Sequence, residues 1–198
     1  MQAIFWEGDI ESNYIGHICA EVWKEKVYQP YMPQSPEGKI CLSVGANVGI
    51  VALYFSKYFE KVYSLEPSSE HFNCLTEMIK FNGLQGKIIP IKKALYIKEG
   101  KFPLFNNQNK TMRSLHQAVN DNSAPPEEIE AITLKRLFED YKLDKIDFMK
   151  LDIEGSEIEV VSSSDFKEVC EKITSMVIER HAWNNRNPNQ LEDALKMR

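Results

Sequence analysis

What most limits the fold of this chain is an alternation that begins at Lys39. Apolar stretches of strand length, residues 40–44, 61–65 and 87–92, are separated by segments of helical spacing at 48–58 and 69–82. Such alternation predicts strands joined by helical crossovers, in a sheet whose faces both lie under helices. The pattern resumes with a helix over 134–141, a strand over 146–151, a crossover helix from 156 towards 161, a strand over 174–178 and a last helix over 188–197. The expected architecture is an α/β three-layer sandwich around a mostly parallel sheet.

Two segments stand outside this rhythm. Residues 12–26 place Ile15, Ile18, Cys19 and Val22 on one face with charges opposite, which predicts an amphipathic helix. Residues 28–38 carry Pro30, Pro33 and Pro36 and read as an extended connector. Residues 1–38 are therefore expected to pack as a helix and connector on a domain spanning 39–198. Within that domain, residues 102–126 are polar, rich in Asn and Gln and closed by Pro125-Pro126, so an inserted hairpin or lid is expected there.

Composition narrows the class. A chain of 198 residues with 43% hydrophobic content can bury a core as one domain without a metal or disulfide staple. Its four cysteines, Cys19, Cys41, Cys74 and Cys170, form no C-x-x-C pair, which argues against structural zinc and for thiols in a reducing cytosol. A net charge of -5 argues against a nucleic-acid partner, and the lysines of 87–101 read as a solvated edge. No apolar run reaches bilayer length and the N-terminus does not read as a signal segment, so no membrane partner and a cytoplasmic location are the expectations.

The sharpest local motif is Ser43-Val44-Gly45-Ala46-Asn47-Val48-Gly49, joining the first core strand to an apolar helix. Glycines there permit a tight turn and close approach of a ligand to backbone N–H groups. The pattern is G-x-N-x-G rather than the dinucleotide G-x-G-x-x-G. Asn47 puts a side chain where a pyrophosphate would pass, which disfavours a nicotinamide cofactor and prefers one without phosphates. Glu66 follows the second strand, 21 positions after Gly45, where an acid can accept both hydroxyls of a ribose. The alternative is a carboxylate capping the next helix, helped by Pro67 and Ser68.

A third constellation is Ile146 to Glu157, reading IDFMKLDIEGSE. Period-two alternation puts Lys150, Asp152 and Glu154 on one side of the strand and its exit. A lysine in an apolar strand needs a partner, and these carboxylates or Glu66 are the candidates. The alternative is an ion pair that only fixes the strand's exit. A fourth stretch, Ser175 to His181, is an apolar strand ending in Glu179 and His181. His17, His71 and His116 lack comparable company.

At these residues the sequence resembles the FkbM family of S-adenosylmethionine-dependent methyltransferases, from about Tyr28 onward. The matching stretches are VGANVG, SLEP, IDFMKLDIEGSE and VIERH. The resemblance implies a Rossmann-like class I methyltransferase fold, usually of strand order 3-2-1-4-5-7-6, S-adenosyl-L-methionine as cofactor, and O-methylation of a hydroxyl on a sugar or natural-product-like molecule. In that order the 174–178 strand lies beside the Lys150 strand, bringing Glu179 and His181 towards Asp152 and Glu154.

Two departures qualify the match. Ser43 stands where the family's loop usually begins with Asp, and no acid follows the third strand at Lys93-Ala94 to receive an adenine amine. The chain is expected to lack the last two strands of the full fold, which would leave residues 176–178 as an apolar edge: either the sequence is a truncated piece or natural fragment, or the edge is covered by the N-terminal segment or by a second copy in a homodimer. The expected cofactor contacts are Ser43, Gly45, Ala46, Asn47, Gly49, Glu66, Pro67 and Ala94. His181 or Asp152 is the expected general base, with Glu154 and Lys150 orienting the hydroxyl or tuning that base. Arg113, Ser114 and His116 are expected to form a substrate lid, and no metal is expected. The rival readings are a methyltransferase-fold binding protein without turnover and a nucleic-acid methyltransferase; the latter is opposed by the charge and by Asp152-Ile153-Glu154-Gly155 in place of an N-P-P-Y-like tetrad.

Overall fold

The computed structural model describes residues 12–35, 37–106, 113–116 and 125–179. The expected helix at 12–26 divides into α1 (Ser12–Cys19) and a π-helical turn at Ala20–Lys24, closed by Glu25 N–H donating to the Ala20 carbonyl at 2.9 Å. The proline-bearing connector contributes a 3-10 turn at Gln29–Tyr31. This N-terminal segment packs through Val22, through Trp23 edge-on to Tyr54, and through Tyr28 edge-on to Phe55.

The central sheet uses β1 (Ile40–Val44), β2 (Lys61–Leu65), β3 (Ile88–Ile91), β8 (Phe148–Leu151) and β9 (Met176–Ile178) in the order β3-β2-β1-β8-β9, all parallel. Successive strand residues face opposite layers. Leu42, Val44, Leu65, Met149 and Leu151 face α4 (Leu134–Asp140), α5 (Glu157–Ser162) and α6 (Ser164–Val169). Cys41, Val62 and Phe148 face α2 (Ile50–Phe55) and α3 (Ser69–Phe81). On that second side Ser64, Ser43 and Lys150 stand in register across three strands, a polar row within an apolar layer. Strand order reverses at β1, which has β2 on one side and β8 on the other; the crevice beyond such a switch point is where open α/β sheets bind ligands.

Several boundaries differ from expectation for local reasons. The helix expected over 48–58 begins only at Ile50, because Gly49 is left-handed at φ 98°. The crossover expected from 156 towards 161 is two helices, since Ser163 ends α5 and its Oγ accepts from Phe166 N–H at 3.2 Å to start α6. The insertion is larger than 102–126 and is a sheet: β4 (Ala94–Leu95), β5 (Gly100–Asn106), β6 (Arg113–Ser114) and β7 (Glu127–Ile132) in the order β4-β7-β5-β6. Ala94, Leu104, Ile129 and Ala131 give it a small core of its own. The helix expected at 188–197 lies outside the described residues. Among those described, β9 is an outer strand of the central sheet.

Candidate functional site

A cavity of about 280 Å³ opens at the carboxyl ends of β1, β2 and β8. Its floor is the turn after β1. Gly45 there has φ 76°, and a Cβ at this position would overlap the carbonyl oxygen of Asp152, so only glycine lets the β1 and β8 exits approach this closely. The Gly45 and Ala46 N–H groups donate to the Leu65 carbonyl at 3.1 and 2.9 Å, fastening the turn to the end of β2. Asn47 is also left-handed, at φ 50°, and its side-chain oxygen accepts from Val48 N–H at 2.7 Å.

Glu66 forms one wall. It is 5% exposed; its Oε2 accepts from Asn47 N–H at 2.8 Å and its Oε1 from Ser68 N–H at 3.0 Å. Each carboxylate oxygen retains a second acceptor direction. The cap of α3 is Ser68, whose side chain accepts from His71 N–H, so Glu66 is not spent as the helix cap. Burial pushes the Glu66 carboxyl up to about 7, against the lowering effect of its two N–H donors, of Arg113 and of Lys150.

Lys150, on β8 at the other side of β1, also lines the cavity. It is 3% exposed, and its Nζ donates to Asp152 Oδ2 at 2.5 Å and to the Gly45 carbonyl at 3.1 Å. Burial alone would lower its pKa, but the Asp152 carboxylate, together with Tyr28 and Glu179, more than offsets this and holds the ammonium charged above the ordinary lysine value. The loop leaving β8 is fixed from below by Glu157, 2% exposed, which accepts from Ile153 N–H at 2.9 Å and from Gly155 N–H. Glu154 sits in this loop at φ 55° and lines the cavity. Glu179 follows β9, donates its N–H to the Leu151 carbonyl at 2.9 Å and lines the cavity as well.

Of the expected site residues, Gly45, Ala46, Asn47, Glu66, Pro67, Ala94, Arg113, Lys150, Asp152 and Glu154 border this one cavity. Ser43 does not: its side chain is fully buried in the polar row beside Lys150, and its hydroxyl has no hydrogen-bond partner among the described residues. Gly49 does not either; its missing Cβ makes room for Met78 and Leu75 of α3, which is a packing reason rather than a ligand one. The expected lid splits. Arg113 faces the cavity, whereas Ser114 Oγ donates to the Glu154 carbonyl at 2.7 Å and His116 Nε2 contacts Ser156 Oγ at 3.2 Å and Glu159 at 3.4 Å. Those two residues brace the loop after β8. His181 lies outside the described residues.

Sequence reasoning missed His17, Glu21 and Tyr28, which close the cavity from the N-terminal segment. Glu21 and Val22 are the only signal, standing on adjoining faces of an amphipathic pattern. It also set aside His71, which is 2% exposed and borders the same space. Among the described residues no group of three or more His, Cys, Asp or Glu could hold a metal ion, and no helix is long and apolar enough to cross a membrane.

A five-strand parallel core with an acid after its second strand and a glycine turn after its first defines the chain as a Rossmann-like α/β protein. The particular family follows from the sequence: residues 43–198 match the methyltransferase FkbM domain, and the chain belongs to that family of methyltransferases. It is 24% identical over 169 residues to the hexuronic acid methyltransferase AglP of Haloferax volcanii, covering 82% of this chain and 67% of that protein. It is 22% identical over 192 residues to the methyltransferase sdnD of Sordaria araneosa, covering 82% of this chain and 73% of that one. Among solved structures it is similar to M. capricolum TrmK in complex with S-adenosyl-homocysteine, at TM-score 0.47 and 11% identity, over 79% of this chain. This chain spans 50% of the length of that structure.

Proposed function

We propose that the chain is an S-adenosylmethionine-dependent methyltransferase that O-methylates a hydroxyl on a sugar or natural-product-like small molecule. The observation that carries this reading is that Glu66 and the Lys150–Asp152 pair line one cavity at the switch point, from strands on either side of β1. The donor set fits an adenosyl group: Glu66 keeps acceptor directions for ribose hydroxyls, Leu95 and Ala94 offer apolar surface, and Asn47 occupies the turn where a phosphate would lie. When bound, S-adenosylmethionine supplies an electrophilic methyl group on a sulfonium. The relatives' names support the acceptor class, AglP acting on a hexuronic acid.

The chain's own residues would orient the acceptor and take up its proton. Asp152 Oδ2 is committed to the Lys150 ammonium, so this pair is a fixed dipole that holds the acceptor oxygen rather than the first choice of base. His181, two positions beyond the cavity-lining Glu179, is the general base in this reading, accepting the hydroxyl proton on a ring nitrogen, with Glu154 orienting the hydroxyl. Tyr28 and the N-terminal helix exclude water from the same space.

Calorimetry with S-adenosylmethionine tests the reading. Binding in the micromolar range is expected, and no binding at millimolar cofactor overturns it. Binding without release of S-adenosylhomocysteine across a panel of sugar hydroxyl acceptors would instead favour a binding protein that has lost turnover.

A further inference from the structure

The residues that close the cavity from the N-terminal segment, His17, Ile18, Glu21, Val22 and Tyr28, all precede the part of the chain, 43–198, that matches the family. They form a fixed wall rather than a loose flap. Val22 is 2% exposed, and Trp23 packs edge-on to Tyr54 with the Lys57 ammonium 4.5 Å from its ring centre. The chain then reverses at Lys26, left-handed at φ 56°. Gln29 N–H donates to the Lys26 carbonyl at 2.9 Å, Tyr31 N–H to the Tyr28 carbonyl at 3.0 Å, and Ser175 Oγ, just before β9, to the Tyr31 carbonyl at 3.1 Å. The backbone on both sides of Tyr28 is therefore held.

Of the polar groups on this wall, His17 and Glu21 have largely exposed side chains and pair with each other at 3.1 Å. Tyr28 is half-buried, its ring held edge-on to Phe55 with the ring centres 5.2 Å apart. Among the described residues its hydroxyl has no hydrogen-bond partner, and unlike that of Tyr54 it is not sealed inside the fold. Burial pushes its pKa up, and the charges acting on it most are those of Lys150, Asp152 and Glu179, on β8 or just beyond β8 and β9. The phenol is thus protonated near pH 7 and can donate one hydrogen bond and accept another. Strand order says what this end of the cavity receives. Glu66 follows β2, whereas β8 and β9 lie beyond β1 on the other side, so a nucleoside held by Glu66 leaves the β8–β9 end for the molecule that takes the methyl group.

We propose that Tyr28 is an acceptor-positioning residue: its hydroxyl hydrogen-bonds the acceptor at the β8–β9 end of the cavity, so that acceptor choice is made in part by a segment outside the family's domain. This rests on the cofactor and acceptor reading given above.

The test is methyl transfer from S-adenosylmethionine to D-glucose, N-acetyl-D-glucosamine, D-glucuronic acid and D-galacturonic acid by the full chain, for the wild type, Tyr28→Phe and Tyr31→Phe, with S-adenosylhomocysteine affinity measured alongside. Tyr28→Phe keeps the ring against Phe55 and removes only the hydroxyl. It is expected to lower kcat/KM for the best of these probes about tenfold, as for loss of one hydrogen bond, while S-adenosylhomocysteine affinity and Tm stay at the wild-type values. Tyr31→Phe, in the same segment but 59% exposed and off the cavity, should match the wild type throughout. Unchanged kcat/KM in Tyr28→Phe overturns the proposal. An equal loss in Tyr31→Phe, or a parallel loss of S-adenosylhomocysteine affinity in Tyr28→Phe, overturns it as well, because the effect then belongs to the segment's packing. A wild type that binds S-adenosylhomocysteine but methylates none of the probes overturns the sugar reading and this proposal together, and one that binds no S-adenosylhomocysteine overturns the cofactor reading; both differ from a loss confined to the variant.

Discussion

At the residue scale, Gly45 shows how a single missing carbon sets the site. The turn after β1 and the exit of β8 meet through Gly45 and Asp152, and the Lys150 ammonium bridges the two by donating to the Gly45 carbonyl and to Asp152. Alanine at this position must both hold a left-handed φ and push the Asp152 backbone away. Gly45→Ala is expected to destabilise the protein by more than about 2 kcal/mol, the order of combined backbone strain and overpacking. Urea unfolding monitored by circular dichroism checks this, and a loss under about 0.5 kcal/mol would show the turn to be more plastic than the contact implies. Ser43 is the instructive contrast. It occupies the position where the family usually has Asp, yet it sits inside the sheet beside Lys150 and not on the cavity.

At the scale of elements, the sheet is aligned by polar contacts at its other end. Asp147, 3% exposed just before β8, accepts from Ile40 N–H at the start of β1 at 2.9 Å and pairs with Lys145 at 2.8 Å and Lys39 at 3.3 Å. Burial works against this carboxylate's charge, but those donors together hold its pKa below the ordinary aspartate value. Removing it orphans the Ile40 N–H and the two ammonium groups, so Asp147→Ala should cost about 1–3 kcal/mol. Its effect on cofactor affinity should be small, because β1 and β8 are still paired at Leu42–Met149 and Val44–Leu151. Thermal unfolding and calorimetry together separate the two effects. A variant that kept its stability would show that the ion pairs are surface ornaments of the kind that contribute little. The inserted sheet is also legible as an element once its alternation is seen: Phe102 and Leu104 face inward on β5 and Ile129 and Ala131 on β7, a period-two pattern that the surrounding Asn and Gln obscure.

At the scale of the whole molecule, two buried groups at the cavity give the ligand-free protein a pH dependence of mixed sign. Glu66 has a folded pKa of about 7, above its unfolded value of 4.5, so the folded state binds more protons and stability falls as pH rises through that window. His71 has a folded pKa of about 4, below its unfolded value of 6.5, so stability rises with pH between those values. The two slopes oppose each other where the windows overlap, with Arg113, Glu127 and Lys150 as the charged groups acting on the pair. Glu66→Gln is expected to leave a stability that climbs from pH 4 to 6.5, and His71→Asn one that declines from pH 4.5 to 7, each by on the order of 1–3 kcal/mol. Chemical denaturation across pH tests this by slope rather than by absolute stability, and parallel profiles for the two variants would contradict it.

What the sequence determined by itself was whatever depends on local pattern. Apolar runs alternating with helical spacing specified the five parallel strands, since a strand buried on both faces is apolar along most of its length. The motif spacings placed Gly45, Glu66, Lys150 and Asp152 at strand ends, and in a parallel sheet those ends lie together. The tertiary structure decided what depends on which side of a strand or helix meets which neighbour. It buried Ser43 because β1 alternates against β2 and β8, turned Ser114 and His116 towards the β8 loop, and closed the cavity with His17, Glu21 and Tyr28 from a distant segment. It also brought His71 and Arg113, 42 positions apart, to one corner beside Glu66. No local pattern carries that information, because each of these side chains is placed by long-range packing.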